Sequence, residues 1–200
     1  MKDTFKILPL CGIIALAACA PVQVIDTDNK DEVANMQHVM VLEYRDWENA
    51  SSKLTKSMIE SGAVSKPGGG RYVLAVGRVT NDTMQRIDTD LLVKNIRANL
   101  MSSGKVAVST AITGEDEMTN KVREQRSNAE FAGGTIAKKG TLVAPELSLT
   151  GKMIQRNIKE SRKERVEYYF QLTLTDINTG LSVWEGTEPI IKRGSKAPTW

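Results

Sequence analysis

The chain has 200 residues, 40% of them apolar and 5% aromatic, with a formal net charge of +3. That length and composition fit one globular domain with a tail, and the basic excess is too small to argue for nucleic acid as a partner. With one histidine and two cysteines, both near the N-terminus, zinc centres built on His or Cys and nucleophile–histidine dyads lack their residues.

The N-terminal stretch carries the strongest local signal. Lys2 and Lys6 precede an apolar run that begins at Ile7 and closes on Leu16-Ala17-Ala18-Cys19. A basic start, an apolar core and small residues before a cut describe a secretory signal. The cysteine at the cut makes it a bacterial lipoprotein signal, with Cys19 the acylated first residue of the mature chain. Cys11 has only Ile7 to Leu10 before it, short of the roughly 7–15 apolar residues such a signal needs. Ala20 stands where inner-membrane retention signals carry Asp, so the expected address is the outer membrane, facing the periplasm. No other apolar run approaches the roughly 18 residues that span a bilayer, so attachment rests on the lipid. The expected division is a signal over 1–18, a lipidated flexible tether over 19–43 and a globular domain over 44–200.

From Ala20 to Asn35 the chain is polar and acidic, with Asp26, Asp28, Asp31 and Glu32, and too poor in apolar residues to pack. Met36, Met40, Trp47, Ala50, Leu54 and Met58 then recur at helical spacing, which predicts a helix most firmly over Asp46–Ser61, stopped by Gly62. Lys66-Pro67-Gly68-Gly69-Gly70 is a loop by composition. Tyr72 to Val79 is an apolar run too short for a helix and reads as a strand buried on both faces, followed by a turn over Thr80-Asn81-Asp82-Thr83. A second helix places Ile87, Leu91, Leu92, Ile96 and Leu100 on one side, with Asp88 as its N-cap and Gly104 as its stop. Lys105 to Ser109 gives a second strand.

Gly114 to Phe131 is strongly charged, with an apolar edge of Met118, Val122, Ala129 and Phe131, and predicts a peripheral helix. Ala132 to Leu142 is loop-like. The remainder reads as sheet: Leu147, Leu149, Gly151 and Met153 alternate with polar residues, as do Val166, Tyr168, Phe170, Leu172 and Leu174. A charged loop, Asn157 to Glu164, joins these strands. Asp176 to Gly180 is a hairpin turn, and Leu181 to Trp184 starts the return strand. The fold class expected is α/β (α+β), a mixed sheet of about four to five strands flanked by helices.

Chemistry-bearing patterns are sparse. His38 lies before the first secure helix, where no fixed site is expected. Gly68-Gly69-Gly70 precedes a strand and lacks the Gly-Lys-Ser/Thr end of a phosphate loop. The carboxylates cluster in loops and on charged faces, without the apolar setting that raises a catalytic pKa. Two surface features suit a partner: Lys152, Arg156, Lys159, Arg162, Lys163 and Arg165 along one hairpin, and the sheet aromatics Tyr169 and Trp184. No catalytic, metal-binding or cofactor-binding residue is expected.

An ordered set of segments carries a resemblance. Val73 to Asn81 (VLAVGRVTN), Ile87-Asp88-Thr89-Asp90, a helix ending in Ser103-Gly104-Lys105, Leu147-Ser148-Leu149-Thr150-Gly151, and Tyr169 to Trp184 with Asp176 and Gly180 resemble the LpoB family of penicillin-binding-protein activators. The match covers roughly residues 46 to 192. It implies a fold like the N-terminal domain of TolB, an outer-membrane lipoprotein without catalytic residues, and binding to a small non-catalytic docking domain of a bifunctional penicillin-binding protein, a peptidoglycan synthase. The best-known members carry a long proline-rich tether, whereas Cys19 to Asn35 is short. Curli-secretion lipoproteins share this domain type, so a structural assembly role is the alternative. An envelope hydrolase using a carboxylate pair is the third.

Overall fold

The computed structural model describes residues 40–112, 116–160 and 163–194. The signal, Cys19, His38 and Arg162 lie outside these residues.

Helix α1, Tyr44–Glu60, starts two residues earlier than its apolar stripe predicts. Its first turn is secured by the side chain of Asp46, whose Oδ2 accepts the Glu43 amide at 2.8 Å. Ala50, Leu54 and Met58 form its buried stripe, with Ser51 and Thr55 alongside. The Thr55 hydroxyl donates to the Ser51 carbonyl at 2.7 Å, so its burial leaves no unpaired donor. Gly62, at φ +81°, ends the helix as expected.

Strand β1 spans Tyr72–Asp82. Thr80, Asn81 and Asp82, expected as a turn, instead pair with Lys152, Met153 and Ile154. Parallel pairing with a distant strand overrides local turn chemistry here, and the turn begins at Thr83, whose amide and hydroxyl both donate to Asn81 Oδ1. The strand buries one face fully rather than two: Leu74, Val76 and Val79 are inside, while Arg78 is exposed.

Helix α2, Thr89–Ser102, is capped by Asp88, whose Oδ1 accepts the amides of Asp90 and Leu91 at 3.0 and 3.3 Å. Gly104 ends it at φ +71°. Its buried stripe is Leu92, Val93, Ile96 and Leu100. Leu91, expected inside, is 48% exposed and Val93 takes its place. The cap sets the phase of the helix, and a stripe read from sequence alone carries an uncertainty of one position at its edge.

The short strand β2, Val106–Val108, follows. Helix α3, Glu117–Glu124, is capped by Asp116 and continues into a 3₁₀ turn, Gln125–Ser127. No residue of α3 is buried, and Met118 and Val122 are 64% and 55% exposed.

Strands β3 (Leu147–Glu160), β4 (Lys163–Asp176) and β5 (Ser182–Gly194) complete the sheet. The charged loop expected over Asn157 to Glu164 is instead paired strand as far as Glu160 and Lys163. Opposed pairs such as Lys159 with Glu164 and Arg156 with Glu167 let charged residues extend the ladder. The sheet order is β2-β1-β3-β4-β5, with β1 parallel to β2 and β3, and the other pairs antiparallel. This is an α+β fold around a mixed five-stranded sheet.

Helices α1 and α2 pack against each other and on one sheet face, α1 over β5 and α2 over β1 and β2. Between them lies the core, in which Met58, Leu74, Ile96, Leu100, Val166 and Leu174 have no solvent exposure. The close approach of α1 to β5 requires Gly186, because a Cβ there would stand 2.5 Å from the Trp184 ring and 2.9 Å from Leu54. Residues 40–43, expected in the tether, are tied to this body. Leu42 is 4% exposed within the core, and the Tyr168 hydroxyl donates to the Met40 carbonyl at 3.2 Å. No helix among the described residues is long and apolar enough to cross a membrane.

Candidate partner-binding face

The sheet face opposite α1 and α2 is open along β3, β4 and β5, and strand alternation decides what stands on it. β4 buries Val166, Tyr168, Phe170, Leu172 and Leu174 against the helices, so Arg165, Glu167, Tyr169 and Gln171 point the other way. Directly opposed residues share a face, and the register carries this set across three strands. Ile154, Tyr169 and Pro189 form one row. Arg156, Glu167 and Ile191 form the next, and Ile158, Arg165 and Arg193 the one beyond. Lys152, Gln171 and Thr187 border the first row on its other side. The result is an apolar centre, including an Ile191 that is 59% exposed, rimmed by cations.

Glu167 organises this surface. It is 7% exposed although it lies on the open face. Its Oε1 stands 3.0 Å from Arg165 Nε, and its Oε2 accepts the Tyr169 hydroxyl at 2.7 Å. Three consecutive outward positions of β4 therefore form one linked unit. The hydrogen bond to Glu167 is the main reason the Tyr169 phenol is held above its ordinary value of 10.0, with burial and the Glu167 charge adding to it and the nearby Arg156 and Arg165 opposing.

The side-chain types on this face are ones that suit binding. Aromatic and arginine side chains are the types that dominate interface energetics, and cations complement acidic surfaces. Among the described residues no group of three His, Cys, Asp or Glu side chains is placed to hold a metal.

The family model for the peptidoglycan-synthase activator LpoB matches residues 46–190. The chain belongs to the LpoB family. Among solved structures it is similar to the LpoB C-terminal domain from Salmonella enterica, at 16% identity and TM-score 0.43, covering 72% of this chain and 98% of that one. The same domain from Escherichia coli matches at 15% identity and TM-score 0.42, with 72% and 98% covered. The structure of E. coli LpoB solved by NMR matches at 14% identity and TM-score 0.41, covering 97% of this chain and 90% of that one. No curated protein sequence matches significantly.

In this LpoB-family chain the sequence-predicted surface residues separate. Lys152, Arg156, Lys163 and Arg165 fall on the open face by strand parity, while Lys159 alternates to the opposite side, paired with Glu164. Lys152 also reaches Asp82, Nζ to Oδ2 at 2.9 Å. Tyr169 belongs to the open face. Trp184 does not: it opposes Leu174 and packs, partly buried, against the core. Glu167, Ile154, Pro189, Ile191 and Arg193 went unrecognised in the sequence. Glu167 shares its parity with Tyr169 and Arg165, and that alternation was the one available signal; the rest needed the cross-strand register.

A second charged cluster, on the helix side, has a different task. Lys192 Nζ lies 3.2 Å from Glu43 Oε2 and 2.5 Å from Asp46 Oδ2, with all three side chains largely buried. Arg45 Nη2 lies 3.1 Å from the same Glu43 oxygen. Burial pushes the Glu43 carboxyl up, but Lys192 and Arg45 together outweigh it and hold the group below its ordinary 4.5. This cluster fixes the start of α1 to the end of β5.

Proposed function

We propose that this chain is an outer-membrane lipoprotein, acylated at Cys19, that binds a bifunctional penicillin-binding protein through that enzyme's non-catalytic docking domain and stimulates its peptidoglycan synthesis. The observation that carries this reading is the match of the synthase-activator family over residues 46–190. The lipoprotein signal ending at Cys19 supports the anchor independently. An open face with an apolar centre and a cationic rim suits a binding role.

The deciding experiment mixes the chain from Ala20 onward with the purified bifunctional synthase of the same cell and follows glycan polymerisation and crosslinking. Direct binding with a raised rate is the expected result. Neither binding nor stimulation overturns the reading. The anchor is tested separately: Cys19→Ser is expected to abolish fatty-acid labelling, and continued incorporation of palmitate by the variant overturns acylation at that residue.

A further inference from the structure

We infer that the open face of β3, β4 and β5, centred on Tyr169, is where this chain meets the synthase, and that its counterpart there is an acidic protein surface with an apolar depression. The inference rests on the function proposed above and adds a location and a partner chemistry.

Three observations converge on this face. The first is composition. Ile154, Tyr169, Pro189 and Ile191 form a contiguous apolar centre, with Lys152, Arg156, Arg165 and Arg193 around it. An apolar centre with a polar rim is the anatomy of a protein–protein contact. A surface for a polyanion, whether lipid headgroup or wall polymer, needs the cations without the centre.

The second is the placement of Glu167. A carboxylate that is 7% exposed on a solvent-facing sheet needs partners to offset its desolvation. Its partners are Arg165 at 3.0 Å and the Tyr169 hydroxyl at 2.7 Å. Both belong to the residue types enriched at interface hot spots. Glu167 holds them in one arrangement before any partner arrives, which lowers the side-chain ordering cost of association. Glu167 is therefore a positioning residue, and Tyr169 is the anchor.

The third is what surrounds the patch. Helices α1 and α2 occupy the other face of the sheet, and Pro189 sits in β5, an edge strand. Proline on an edge discourages strand addition along that edge, so the partner is expected to approach the face rather than extend the sheet. On β3, β4 and β5 the charged residues of these four rows are basic apart from Glu167, while Asp82, beside Ile154 on β1, is paired with Lys152. The matching surface must be acidic.

The test measures affinity of the chain from Ala20 onward for the purified bifunctional synthase in detergent, at two salt concentrations. Tyr169→Ala and Arg156→Glu are each expected to weaken binding about tenfold or more, and the Arg156 variant should also flatten the salt dependence. Tyr169→Phe keeps the ring but loses the bond to Glu167, so its affinity should fall between the wild type and Tyr169→Ala. Glu167→Gln keeps an acceptor for the Tyr169 hydroxyl but loses the charge that holds Arg165, so it should weaken binding less than Tyr169→Ala while the fold stays intact by circular dichroism. Lys56→Glu, on the exposed side of α1, serves as the control and should change nothing. Full affinity in both Tyr169→Ala and Arg156→Glu, with the wild-type chain binding, overturns this location and leaves the activator reading standing. Absence of wild-type binding overturns both. Loss of sedimentation with purified peptidoglycan sacculi by these variants, with synthase affinity unchanged, also overturns the inference and reassigns the face to a glycan.

Discussion

Gln85 holds Leu42 by both of its backbone groups. The Leu42 amide donates to Gln85 Oε1 at 2.9 Å, and Gln85 Nε2 donates to the Leu42 carbonyl at 3.0 Å. One side chain thus supplies what a neighbouring strand would, and residue 42 is seated in the core without belonging to the sheet. Gln85→Ala is expected to cost about 1–2 kcal/mol in urea unfolding, because two partly buried backbone groups lose their partner. Gln85→Glu should cost a similar amount at neutral pH, since a carboxylate accepts from the amide and cannot donate to the carbonyl. An unchanged midpoint in both variants would count against this seat.

Acid should weaken the fold through identifiable carboxylates. Burial raises the Glu43 pKa, but the contributions of Lys192 and Arg45 exceed it; Glu146 is lowered first by its bond from Lys66 and then by the Val73 amide. Both folded values lie below the ordinary 4.5, so each group adds stability above that pH and loses it as pH falls through the folded value. Unfolding free energy measured between pH 7 and pH 3 is expected to fall mainly below about pH 4.5. Lys192→Met should cost about 3 kcal/mol near neutrality, by leaving two largely buried carboxylates without their shared cation, and should shrink the drop on acidification.

The alkaline side is set by Tyr168. Burial, with a smaller contribution from Asp46, pushes its phenol from 10.0 up to about 12. A raised folded value means stability that is complete below pH 10 and declines as pH climbs toward 12. An ultraviolet titration should show Tyr168 ionising late, together with loss of structure, and Tyr168→Phe should remove that late step. The same variant loses the bond to the Met40 carbonyl, worth about 1 kcal/mol.

Gly186 and Trp184 should behave as a coupled pair. A methyl at position 186 would stand 2.5–2.6 Å from the indole and 2.9 Å from Leu54. Gly186→Ala is expected to destabilise by about 1–3 kcal/mol and to shift tryptophan emission. Adding Trp184→Leu should recover part of the loss, so that the two changes are not additive. Strict additivity would show that the ring does not set the spacing.

Local pattern made much of this fold legible. The stripe Ala50, Leu54, Met58 and the alternation of Val166 to Leu174 each report which side of an element is inside, and Asp88, Gly62 and Gly104 mark helix ends through their own backbone chemistry. What escaped depended on distant partners. Thr80 to Asp82 become strand only because β3 lies beside them, and Lys159 with Glu164 because they face each other across a hairpin. The candidate face was half visible. Tyr169, Arg156 and Arg165 stand out by type, whereas Ile154, Pro189 and Ile191 join them only through the register, and Trp184 leaves the group because its parity turns it toward α1.

Both ends of the folded body meet at one corner. Met40 lies against Gly194, Leu42 is gripped by Gln85, and Lys192 joins Glu43 and Asp46. Tension applied at Met40 arrives where backbone bonds, an ion cluster and the last strand share the load in parallel. The start of α1 should therefore yield only together with the sheet it is tied to. Pulling on the two ends of residues 40–194 should show a single rupture of the whole domain, with no early detachment of α1.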